Sequence, residues 1–133
     1  MIIGILHTHR TLAYLVFVVV LVNLILVLTS ARTDPRVARG VMLAERFGLI
    51  WGGRVNLVLG IVYGVASSYD LTRWWLWVAL LLWGPVEALS KKMVQPELSL
   101  VVAGGQPSGR LTAGAVGQLL AVAVIFGLMS ARP

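Results

Sequence analysis

The sequence predicts an all-α polytopic membrane protein, built as a four-transmembrane-helix up-down bundle in a single domain over residues 1–133. Three observations carry that expectation. Of the 133 residues, 59% are hydrophobic and only 12% are charged. A soluble domain carries about a quarter charged residues, so this chain cannot clothe itself in a hydrated surface. Four apolar stretches follow one another, at about 11–29, 47–67, 74–90 and 111–129. Each is close to the roughly 20 residues that a bilayer demands. Finally, Lys and Arg collect in alternate connections, as membrane topology requires. The same composition excludes a disordered chain and a disulfide scaffold. The complete absence of cysteine excludes thiol redox chemistry, iron–sulfur clusters and cysteine-based zinc sites. The net charge of +6 invites a nucleic-acid reading. The basic residues never form a dense run, however, and loop charge in a membrane chain accounts for the excess.

The first span contains one strongly polar residue, Asn23, and is apolar on every other side. It is too long for the hydrophobic core of a signal peptide, so it is expected to be retained. Its helix is expected to start near Ile2. The second helix is expected to start at Pro35, because Thr33-Asp34-Pro35 supplies a capping side chain and then a proline at the first helical position. Its first turns would carry Arg36, Arg39, Glu45 and Arg46 at the membrane interface. Gly84-Pro85 is expected to kink the third helix. The connection 93–109 ends in Gly-Gly-Gln-Pro-Ser-Gly and reads as loop, with a short interfacial helix over 96–103 as an option.

Loop charge sets the orientation. Arg10, Arg73 and Arg132 lie on one side; Arg32, Arg36, Arg39, Arg46, Lys91, Lys92 and Arg110 lie on the other. The richer side is expected in the cytoplasm, with both termini and the turn at 68–72 on the outer side of a bacterial inner membrane. Tyr69, Trp74 and Trp75 would form an outer aromatic belt.

Helices associate in lipid through small residues and interhelical hydrogen bonds. The second span has Gly48, Gly52, Asn56, Gly60 and Gly64 at every fourth position, and the fourth has Ala113, Gly117 and Ala121. Both stripes are expected to face other helices; a backbone-lined cavity is the functional alternative. Asn23, Asn56 and Gln118 are expected to hydrogen-bond across helices.

Two charges fall inside the spans. Arg54 lies eight residues beyond Arg46, about 12 Å deeper at the helical rise. Glu87 lies four residues before Lys91, on the same half of the membrane. A bidentate Arg54–Glu87 contact between the second and third helices is one expectation. Snorkelling of Arg54 to lipid phosphate, with Glu87 paired to Lys91, is the second. An anionic group on a partner or cofactor is the third. His7 and His9 are the candidate cofactor ligands. Two residues apart, they point about 200° from each other and cannot share one iron from a single helix. The chain has no further histidine, no HExxH and no nucleophile–base set, so no catalytic or metal-ligating residue is expected.

Two stretches look familiar. Leu6-His7-Thr8-His9-Arg10-Thr11-Leu12-Ala13-Tyr14-Leu15-Val16 resembles the opening of small bacterial four-helix proteins called cytochrome-b-like. Gly53-Arg54-Val55-Asn56-Leu57-Val58-Leu59-Gly60-Ile61-Val62-Tyr63 resembles their second helix. The layout is also similar to the wider group of copper-resistance-D-like, invasion-regulator-B-like and protoporphyrinogen-oxidase-J-like membrane proteins. That resemblance implies histidine haem ligands on later helices. Here Arg54 stands where the second-helix histidine would be, which implies a bundle retained without the cofactor.

The functional expectation is a non-catalytic integral membrane subunit that stabilises a larger complex, plausibly respiratory, with lipids and other membrane subunits or its own copies as partners and no nucleic acid. The first alternative is a redox protein binding haem or quinone through His7 or His9. The second is a small homo-oligomeric transporter or channel with Arg54 as an anion site.

Overall fold

The structure is a computed structural model that describes residues 2–68 and 70–131. It is all-helical, with no strand among those residues. Helix α1 spans Ile2–Leu28 and passes through a 3-10 turn at Ser30–Arg32. Helix α2, Pro35–Leu43, runs without a break through a π-helical stretch, Ala44–Trp51, into α3, Gly52–Ala66. After the 68–72 turn, α4, Trp74–Leu89, continues through a second π-helical stretch, Ser90–Val94, into α5, Gln95–Val102. Helix α6 spans Gly109–Ala131. Among the described residues, three helices are long and apolar enough to cross a membrane: Ile2–Leu28, Pro35–Ala66 and Gly109–Ala131.

Local chemistry fixes the boundaries. The Asp34 side chain accepts a hydrogen bond from the Arg36 amide, and Pro35 occupies the first turn, so α2 starts where the capping signal put it. Helix α4 runs through Pro85. The optional helix in the connection 93–109 forms, at Gln95–Val102. Residues 95–102 are helical and continuous with α4, because Leu98 and Val101 have a buried face to fill. Gly104, at φ +90°, then turns the chain in the left-handed conformation that glycine adopts without strain. In the 68–72 turn, Asp70 accepts from both the amide and the hydroxyl of Thr72. Those bonds favour its charged form and hold its carboxyl below the usual range.

The rods pack antiparallel. Helix α1 lies against α3 and α6, and α6 also lies against α4, while α2 and α5 cover one another at the loop end. The glycine stripe faces α1 in descending register. A Cβ on Gly48 would touch Val19, one on Gly52 would touch Val16, and one on Gly60 would press on the His9 ring. Gly64 instead lies under Leu71. On α6 the expected stripe is displaced by one position. Ala113 is exposed, and Gly114 approaches Met93 and Val94. Gly117 meets Leu89, and Ala121 packs against the core. A period of four drifts away from a 3.6-residue helix, so the buried line runs through Leu111, Gly114, Ala115, Gln118 and Val122.

Among the described residues the core has two apolar clusters. The loop-end cluster centres on Val27, Ala38, Val41, Val94, Leu98, Leu111 and Ala115. The second comprises Val16, Val20, Leu49, Val86 and Val122. Outside, α1 exposes Tyr14, Leu15, Val18, Val22 and Ile25, and α3 exposes Val55, Val58, Ile61 and Val62. Of the expected belt, Trp74 is exposed but Trp75 is buried; Trp77 joins the exposed face, with its indole N–H donating to the Leu71 carbonyl. Tyr69 and Arg132 lie outside the described residues.

Candidate functional site

Between the two apolar clusters lies a single polar layer. On α1 it is Asn23, between Val20 and Val27. On the rod beginning with α2 it is Glu45, between Val41 and Leu49. On the rod beginning with α4 it is Ser90, between Val86 and Val94. On α6 it is Gln118, between Ala115 and Val122. Each polar residue is therefore one helical turn from a core residue on either side, and all of them point inward.

Glu45 is the centre. It is 0% exposed, Gln118 is 1% and Asn23 is 3% exposed. Asn23 Nδ2 donates to Glu45 Oε1 at 3.2 Å. Ser90 Oγ and Gln118 Nε2 donate to Glu45 Oε2 at 2.7 and 2.9 Å. Gln95 Nε2 donates to Ser90 Oγ at 2.9 Å, which leaves the Ser90 hydrogen free to point at the carboxylate. Among the described residues no salt bridge reaches Glu45. A carboxylate taken from water without a cation costs several kcal/mol. Hydrogen bonds to a charged acceptor return about 1.5–3 kcal/mol each, so three donors offset part of that penalty. Glu45 differs in burial from the charged residues grouped with it on the first turns of this rod: Arg36, Arg39 and Arg46 are exposed, but Glu45 lies on the inward face.

Both π-helical stretches border this layer. Glu45 is the second residue of one, and Ser90 the first of the other. A π turn carries an extra residue per hydrogen-bonded loop, which re-aims the side chains around it, and such turns concentrate at functional sites.

A second polar feature closes the seam between α3 and α4. Arg54 and Glu87 meet in a bidentate pair, Nε to Oε1 at 2.7 Å and a terminal guanidinium nitrogen to Oε2 at 3.1 Å. The Trp83 indole donates to Glu87 Oε1 at 3.1 Å, and the guanidinium sits 5.1 Å from the centroid of the Trp51 ring. The pair is half-open: the side chains of Arg54 and Glu87 are 40% and 19% exposed. The six-membered ring of Trp83 packs against Gly53, where an added Cβ would fall 2.0 Å from it. Gly53 is thus as necessary to this seam as the charged pair, although it lies off the period-four stripe.

The remaining candidates are dispersed. His9 Nδ1 is 3.0 Å from the Asn56 carbonyl oxygen, an α1–α3 contact, while His7 is exposed and points elsewhere. Asn56 makes its cross-helix contact through the backbone; its side-chain Oδ1 is buried without a hydrogen-bond partner. No group of three or more His, Cys, Asp or Glu that could hold a metal ion occurs among the described residues. At the loop end, Glu97 accepts from the Ser108 amide and hydroxyl at 2.9 and 2.7 Å, and these bonds hold its carboxyl below the usual range. Arg32 donates to Thr112 Oγ1 at 2.7 Å, which ties the turn after α1 to the start of α6.

The sequence reading missed Glu45 as a buried group, along with Ser90, Gln95, Trp83 and Gly53. A signal for Glu45 was present. Ala38, Val41, Glu45 and Leu49 form one helical line, and the charged residues beside it fall off that line. Ser90 is on an equivalent line with Val86 and Val94. Gln95 and Trp83 have no comparable signal, because their roles depend on a neighbouring helix.

Comparison with protein-family models, with curated proteins and with solved structures gives no match.

Proposed function

We propose that this chain is a non-catalytic integral membrane subunit that crosses the bilayer four times and stabilises a larger membrane assembly. The observation that carries the reading is where the polar chemistry goes. Inside the apolar region the side chains of Asn23, Glu45, Ser90 and Gln118 bond to one another, and Arg54 bonds to Glu87. The faces left over are broad and apolar, along α1, α3 and α4. Two grooves of about 120 and 370 Å³ lie on the loop-end surface, lined by Arg39 and Arg46 in one case and by Lys92 and Arg110 in the other; neither is lined by a residue of the buried layer. Such a molecule is suited to packing by shape against lipid and other helices.

In this reading the loops at 29–34 and 103–108 face the cytoplasm of a bacterium and both termini lie outside. Extraction in a mild detergent, followed by identification of co-purifying chains, tests the function. A reproducible set of integral membrane proteins is the expected result; a monodisperse monomer purifying alone would overturn it. Because the chain has no cysteine, Thr72→Cys and Gly105→Cys test the topology. An impermeant thiol reagent applied to intact cells should label the first and spare the second; the reverse pattern refutes the orientation.

A further inference from the structure

We propose that Glu45 is a proton-binding site, in which the enclosed carboxyl takes up and releases one proton while the side-chain amide of Asn23 turns over to serve both forms. The inference concerns the interior of the bundle and does not depend on which partner the outer surface meets.

The geometry limits what the site can hold. The groups facing Glu45 are Asn23 from α1, Ser90 with Gln95 behind it from the rod of α4 and α5, and Gln118 from α6. None of them carries charge or titrates. The charged residues that flank these positions in sequence, Arg46, Lys91 and Lys92, are all exposed, and the deeper pair, Arg54 and Glu87, bond to each other. The carboxyl of Glu45 is therefore the one titratable group in the layer. As the side chains stand, all three neighbours turn hydrogens to the carboxyl and no second carboxylate faces it, an arrangement that suits a proton better than a metal cation.

Both forms of the acid can be satisfied by moving one side chain. As drawn, three hydrogens point at the carboxylate. Oε2 takes two of them, from Ser90 and Gln118, and Ser90 is held in that donating role because its own lone pair receives Gln95. Oε1 takes a single hydrogen, from Asn23. When a proton binds Oε1, a half-turn of the Asn23 amide replaces Nδ2 by Oδ1, and the new O–H finds an acceptor. Oε2, now the carbonyl oxygen, keeps its two donors. No buried polar atom of the carboxyl is orphaned in either state. The proton arrives on hydronium from the aqueous side and leaves a water behind; on release the same step runs backwards, and no other bond changes. The π-helical stretches fall at Glu45 and Ser90 themselves, where the regular helical ladder is interrupted.

Infrared difference spectra of the full chain in lipid bilayers, recorded while pH is cycled, test the proposal. The expected result is a reversible carboxylic-acid C=O band that is absent in Glu45→Gln and retained in Glu87→Gln. In Ser90→Ala the band should move to higher frequency, because the carbonyl oxygen loses a donor. That shift identifies the group even if Glu45→Gln fails to fold. The absence of a reversible band overturns the proposal. So does a band lost in Glu87→Gln or unmoved in Ser90→Ala. A band that responds to sodium at constant pH also overturns it, in favour of a metal cation.

Discussion

Glu45 and Glu87 are both carboxylates in the apolar part of the chain, and their surroundings differ in kind. Glu87 lies at a half-open seam and is neutralised by Arg54, with Trp83 as a further donor. Glu45 lies at the centre of the packed rods, with three neutral donors and no cation. A long cationic side chain can reach Glu87 from a neighbouring helix while part of it remains exposed. At the position of Glu45 a guanidinium would itself have to be buried, and the cost of a second desolvated charge would be added to the first. Short neutral amides and a hydroxyl solvate that carboxyl at a lower cost. Glu97 is a third arrangement, held at the loop end by a backbone amide and a hydroxyl.

The largest effect should come from breaking the central layer. Glu45→Leu removes the acceptor shared by three donors and leaves the hydrogens that Asn23, Ser90 and Gln118 gave it without a partner, so stability should fall by about 2–5 kcal/mol. Unfolding in mixed detergent micelles measures this, and Glu45→Gln should lose less because one acceptor oxygen survives.

Next comes the seam. Gly53→Ala places a methyl group 2.0 Å from the Trp83 ring. The ring must move, and Glu87 loses its indole donor; the expected cost is about 1–3 kcal/mol. Gly52→Ala is the control, since its nearest contact is at 3.7 Å. The same unfolding assay should find it close to the parent. If Gly52→Ala and Gly53→Ala behave alike, Trp83 does not lie where the seam requires it.

A double-mutant cycle on Arg54→Leu and Glu87→Leu should show non-additivity, because each single change strands its partner. The loss should be smaller than that of Glu45→Leu, since the stranded side chain is part-exposed and can swing out of the seam, whereas the three donors around Glu45 are enclosed. Equal losses would erase the distinction between seam and layer.

The smallest effect concerns Glu97. Its folded carboxyl is held below the usual range, so its bonds contribute stability that is fully present above the unfolded glutamate value. That contribution is lost as pH falls through the lower, folded value. The Ser108 amide resonance should report this titration. In Ser108→Ala the transition should move up towards the ordinary glutamate range, because the hydroxyl donor is gone. An unchanged transition would place its cause elsewhere.

Much of the layout could be read from residues alone. Asp34-Pro35 marks the start of α2, and the spacing of Gly48, Gly52 and Gly60 gives the face that α1 covers. Both depend on local geometry: a capping bond spans two residues, and a helix converts spacing into a face. The contact between Arg54 and Glu87 was one of three open options, because position along an apolar stretch is legible but the direction of a side chain is not. Two errors have the same root. The burial of Glu45 is hidden when it is grouped with its charged neighbours, and Ala113 reads as packed when a period of four replaces 3.6.

By itself the sequence determined that this is an all-helical chain whose apolar stretches suit a membrane, and it determined where the α2 rod begins. Those properties follow from composition and from interactions within a few residues. Only the tertiary structure decided that Asn23, Glu45, Ser90 and Gln118 share one layer. They are 22, 45 and 28 residues apart in succession, and nothing local links them. They meet because each lies one turn from a core residue on its own helix, and packing the apolar turns brings the polar ones into register.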